Sequence, residues 1–132
     1  MGERAKPFDA TRDSHLPILL SREVSNPLLY GTFRPVILLP HDIGEWSTLE
    51  ERATIIRHEL IHFEKKHHWV AKLETLAMTV LFFHPLVRWM CAQLDCEREL
   101  VCDAEIVRMG ANPDHYAETL LLVASHAISG HA

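Results

Sequence analysis

Two histidines flanking a glutamate, in the run His58-Glu59-Leu60-Ile61-His62, are the residues whose types and spacing could do chemistry. Positions four apart on a helix share a face, so both imidazoles can reach one metal ion. Glu59, one step around, can reach a water on that ion. Chance alone supplies roughly 0.07 such three-position matches in a chain of this composition and length. The plain alternative is a pair of solvated histidines on a helix surface. A catalytic zinc wants a third protein ligand and an open position for water. The segment Glu99-Leu-Val-Cys-Asp103 offers two carboxylates at helical four-residue spacing. Glu99 is the expected third ligand, and Asp103 the carboxylate that accepts a hydrogen bond from a ligand imidazole, that of His58. Glu97, Glu105, His67 and His68 compete for the third position. Cys102 is read as a packing residue, because a thiolate would close the position that water needs.

This ligand set points to hydrolysis of a peptide bond. The metal acidifies water and polarises the carbonyl, and Glu59 as general base passes the proton to the leaving amine. The oxyanion then needs one donor besides the metal. His84 is the candidate, against the alternative of a histidine that merely caps a broken helix before Pro85; Tyr30, Arg88, Arg98 and Tyr116 stay open for the same role. An extended polypeptide substrate is expected on Val36-Ile37-Leu38-Leu39, read as an edge strand to which a peptide can add. The alternative there is an ordinary core strand.

The elements that must position these residues follow from periodicity. Leu16-Pro-Ile-Leu-Leu20 and Val36–Leu39 are short apolar runs punctuated by Ser25-Asn26-Pro27, Gly31 and Pro35. They predict a small antiparallel sheet of two or three strands with an exposed edge. Ser47-Thr48-Leu49-Glu50 reads as a capping box. Leu49, Ala53, Ile56, Leu60 and Phe63 then form one stripe on a helix of roughly residues 48–66. A second helix is expected over 69–83, broken at His84-Pro85. A third runs from about 86 to 109 and stops at Gly110. A fourth starts at Asn112-Pro113 and reaches about 127. The fold class is α+β.

These residues together resemble a family, the zinc metallopeptidase domain of the bacterial β-lactam-sensing antirepressor receptors, within the gluzincins. The resemblance covers about residues 16–108. It includes Ser25-Asn-Pro27 with Gly31, Arg34-Pro-Val-Ile-Leu-Leu-Pro40, His58-Glu-Leu-Ile-His62, Phe83-His-Pro-Leu-Val-Arg-Trp89 and Glu99-Leu-Val-Cys-Asp103. It implies a mostly helical zincin-like domain with one catalytic zinc ion, and limited cleavage of a regulatory protein such as a transcriptional repressor. It also implies a place on the cytoplasmic side of an inner membrane. No stretch here corresponds to the family's flanking transmembrane helices, so an excised domain or a free-standing relative is expected.

Bulk properties fit that reading. The chain has 132 residues, 48% hydrophobic and 23% charged, which suits one domain over 16–132 behind a flexible linker or tail at 1–15. A net charge of -5 argues against nucleic acid as a partner, since that needs a concentrated basic surface. Ten histidines against thirteen Lys plus Arg ask for a metal or acid–base role. Cys91, Cys96 and Cys102 form no CxxC pair and read as reduced thiols. The most apolar stretch, 73–90, carries Glu74, His84 and Arg88 and falls short of the about 20 apolar residues a bilayer span requires. A soluble chain is expected, with 73–90 able to contact a membrane or a transmembrane helix.

Overall fold

The computed structural model describes residues 15–130; the tail expected over 1–15 lies, but for His15, outside them. Three strands come first: β1 (Ile18–Ser21), β2 (Leu28–Tyr30) and β3 (Val36–Pro40). Their order in the sheet is β1-β3-β2. β3 pairs in parallel with β1, with Ile18 opposite Ile37, and antiparallel with β2, with Leu29 opposite Ile37. The sheet is therefore mixed and not antiparallel. Residues 22–35 are long enough to serve as the crossover that a parallel pair requires, and β2 is laid down within it. The strand Val36, Ile37, Leu38 and Leu39 is central, with a partner on each edge, which corrects its reading as an edge. An unbroken apolar run suits a strand covered on both faces better than an edge: Ile37 and Leu39 on one face are buried, and Val36 and Leu38 on the other are partly so.

Five helices follow among the described residues: α1 (Ile43–Trp46), α2 (Leu49–Glu64), α3 (His67–Val80), α4 (Pro85–Arg108) and α5 (Pro113–Ser129). The short α1 was not anticipated, and it shifts the capping box by one residue. Ser47 donates its hydroxyl to the Ile43 carbonyl and closes α1. Thr48 is then the N-cap of α2: its hydroxyl accepts from the Glu51 amide at 3.2 Å, and the Glu51 carboxylate accepts from the Thr48 amide at 2.8 Å. The break at His84-Pro85 and the start at Asn112-Pro113 stand where the sequence placed them. Asn112 Oδ1 accepts from the amides of Asp114 and His115, as an N-cap should.

Packing runs through two apolar clusters. Ile37, Leu39 and Ile43 meet Ile55 and Ile56 of α2, with Ala53 and Leu60 packed against them. One turn further on, Ile61 meets Cys102 and Ile106 of α4 and Tyr116 of α5. Leu49, expected in the buried stripe, is exposed because it precedes the sheet's cover. His58 lies between the two clusters and is itself buried. The helix carrying the HExxH run is thus clamped by apolar contacts on either side of its first histidine.

Candidate metal centre

Three side-chain groups from two helices converge. His58 Nε2 lies 3.2 Å from His62 Nε2, Glu99 Oε2 lies 3.3 Å from His58 Nε2, and Glu99 Oε1 lies 3.2 Å from His62 Nε2. Tetrahedral zinc with bonds near 2.0–2.1 Å needs ligand atoms about 3.3 Å apart. The three distances are of that order, the two to Glu99 running to different oxygens of its carboxylate, so the residues present fit a zinc ion, with Glu99 supplied by α4. Cys102 Sγ also lies close enough to the two histidines to share an ion. Its nearest approach, however, is to His62 Nδ1 at 3.5 Å, the ring nitrogen turned away from the triangle. The same nitrogen stands 2.8 Å from His67 Nδ1. Glu99 faces the Nε2 atoms of both histidines, whereas His67 and Cys102 back the far side of the His62 ring.

The electrostatics suit a cation. Burial pushes the Glu59 carboxyl up to about 7, helped by the charge of Glu99, while His58, His62 and the Leu29 amide, which donates to it, pull the other way. Burial would lower the His58 imidazole, but its hydrogen bond to Glu99 and the charges of Glu59, Glu99 and Asp103 outweigh that and hold it above its usual value. Hydrogen bonds to His58 and His62 hold the Glu99 carboxyl well below the usual carboxylate range. Burial and the nearby carboxylates push the Cys102 thiol up to about 12, consistent with an inert packing residue. A cavity of about 180 Å³ opens beside this group, bordered by His58, Glu59, Glu99 and Tyr116 and walled by Ile55 and Leu120.

Of the residues expected at the site, His58, Glu59, His62 and Glu99 come together, and Asp103 lies one turn beyond Glu99. Asp103 Oδ1 is 3.8 Å from His58 Nδ1, too far for a direct hydrogen bond. Tyr116 stands between them, its hydroxyl 2.7 Å from His58 Nδ1 and donating to Asp103 Oδ1 at 2.6 Å. His84 does not reach the site. It is the exposed N-cap residue of α4, and fifteen residues of helix separate it from Glu99, about 22 Å of rise. A histidine before proline at a helix start is explained by the break alone. Val36–Leu39 likewise offers no free edge, since β3 has a partner strand on each side. What sequence reasoning missed is the backing of His62 by His67 and the place of the Leu29 backbone beside Glu59. Neither has a spacing signal, since both depend on how α3 and β2 pack against α2.

Comparison with known proteins agrees with the geometry. The family described as BlaR1 peptidase M56 matches residues 8–131. Regulatory protein BlaR1 of Bacillus licheniformis is 31% identical over 111 residues, covering 81% of this chain and 18% of that protein. The methicillin resistance mecR1 protein of Staphylococcus epidermidis is 27% identical over 109 residues, covering 81% of this chain and 19% of that one. The chain therefore spans about a fifth of the length of the curated relatives it matches. With a match across almost its whole length, this chain belongs to the BlaR1 M56 peptidase family.

Proposed function

We propose that this chain is a zinc-dependent endopeptidase domain that cleaves a peptide bond in a regulatory protein, a transcriptional repressor being the class of substrate the family resemblance suggests. The observation that carries the reading is the His58, His62 and Glu99 triangle with Glu59 next to it. A zinc ion held there would supply Lewis acidity and lower the pKa of a bound water towards 7. The rest is the work of the chain. His58 and His62 present their Nε2 atoms from one helix face, and Glu99 closes the set from α4. Glu59, whose carboxyl burial raises to about 7, would take a proton from water and deliver it to the leaving amine.

For substrate binding the edge strand β2 replaces β3. Ile37 sends its amide to Pro17 on the β1 side, so its opposite residue, Leu29, turns its own amide outward. That amide reaches Glu59, so the outer edge of β2 runs beside the general base. An extended peptide adding there would lie across the triangle. The exposed apolar residues Leu73, Leu76, Val80, Phe82, Phe83 and Trp89 support contact with transmembrane helices of a receptor whose protease domain faces the cytoplasm. Among the described residues no helix is long and apolar enough to cross a membrane.

The test is metal content together with cleavage of a candidate repressor. The protein should hold about one zinc per chain, the occupancy of a single catalytic site. Glu59→Ala should keep that zinc and lose cleavage by about 100-fold or more, the usual worth of a general base. Zinc retained with no cleavage by the unaltered protein would favour a protein-binding regulatory module instead.

A further inference from the structure

We infer that Tyr116 is a positioning residue that sets the tautomer of His58 and thereby its capacity to bind metal. The inference rests on the proposed metal site and adds a residue from a third helix to it. The valence of the hydroxyl carries the case. It has one proton, and that proton goes to Asp103 Oδ1 at 2.6 Å. Toward His58 Nδ1, at 2.7 Å, the oxygen can then only accept. His58 must therefore carry a hydrogen on Nδ1, so that Nε2, which faces Glu99 and His62, is the nitrogen that can give up its own proton to a metal ion. Asp103 cannot do this alone across 3.8 Å. The tyrosine acts as a spacer that transmits the acceptor demand of Asp103 to the imidazole.

The placement of the hydroxyl is built in. The Tyr116 ring is buried with Ile61, Cys102 and Ile106, so it cannot swing away without leaving an apolar cluster. Its amide donates to the Asn112 carbonyl at 3.0 Å, within the first turn of α5, whose start is set by the Asn112 cap and Pro113. The last helix is on this account part of the metal centre and not only its support.

The experiment uses Tyr116→Phe, which keeps the ring in its cluster, and Asp103→Asn, whose amide can donate and so lets the hydroxyl turn its proton towards His58. Two readouts are taken on the full chain. Imidazole nitrogen NMR of the metal-free protein should show a hydrogen on His58 Nδ1 in the unaltered protein and its loss from that nitrogen in both variants. Zinc affinity, by chelator competition, should fall about 10- to 100-fold in each, the usual effect of removing a ligand's outer partner. The double variant should be no weaker than the poorer single one, because the two residues act in series. Unchanged tautomer and unchanged affinity in Tyr116→Phe would overturn the inference. Were the unaltered protein to bind no zinc, the metal reading would fall, and the tautomer would still decide the role of Tyr116.

Discussion

Arg98 Nη1 lies 2.5 Å from Glu74 Oε1, in a pair whose side chains are 13% and 10% exposed and which ties α4 to α3. The arginine is the immediate neighbour of Glu99, so this pair sets the register in which α4 presents its carboxylate to the histidines. Asp95 also contacts Arg98 and would remain if Glu74 were removed. Glu74→Ala should therefore cost about 2 to 3 kcal/mol, below the value for a fully orphaned buried charge. It should also weaken zinc binding by displacing Glu99. Denaturant unfolding and chelator competition check both parts. A variant with unchanged stability would mean that the pair is not holding the two helices.

The metal-free protein should show a pH dependence of stability. The Glu59 carboxyl sits at about 7 in the fold against 4.5 for an unperturbed glutamate. Below pH about 4.5 it is neutral in both folded and unfolded states. As pH rises from there through about 7 the unfolded state ionises first, so the metal-free fold loses stability, on the order of 3 kcal/mol from this group. His58, raised above its usual 6.5, adds a loss of the same sign above that pH. Thermal melts of the metal-free protein should fall across pH 4.5 to 8. Glu59→Gln should flatten most of the slope, and added zinc should reverse it, because the ion binds only the folded, deprotonated ligands.

The choice between Glu99 and Cys102 as third ligand can be made directly. Glu99→Ala should lower zinc affinity by more than the about 10- to 100-fold that outer partners cost. Cys102→Ser should change it by less, since the thiol faces His62 Nδ1 and not Nε2. Cobalt substitution offers an independent check: a sulfur-to-metal charge-transfer band in the unaltered protein would place Cys102 in the coordination shell and refute the assignment.

Gly31 is a site where a single methyl group should be costly. Its φ of +94° lies in the left-handed region, and a Cβ there would meet the Arg34 carbonyl oxygen at 2.7 Å. That backbone cannot move aside without opening the turn between β2 and β3. Gly31→Ala should destabilise the fold by about 2 kcal/mol or more. It should also impair cleavage if β2 is the substrate edge; a neutral effect on unfolding would mean that the turn relaxes freely.

The sequence alone determined which residues are of a type and spacing to hold a metal, and their local frame. The i, i+4 spacing of His58 and His62 and of Glu99 and Asp103 becomes a shared face wherever the backbone is helical, and the cap at Asn112 and the break at Pro85 are local signals that hold without tertiary contacts. Only the tertiary structure shows which carboxylate lies beside the two imidazoles, because Glu99 reaches them through the crossing of α4 on α2. Spacing likewise could not show that Tyr116 stands between His58 and Asp103, or that His84 lies far from both. The sheet divides the same way. Apolar runs announced strands, but whether β3 is edge or centre depends on which strands pair across the 22–35 crossover, and side-chain pattern within one strand does not encode its neighbours.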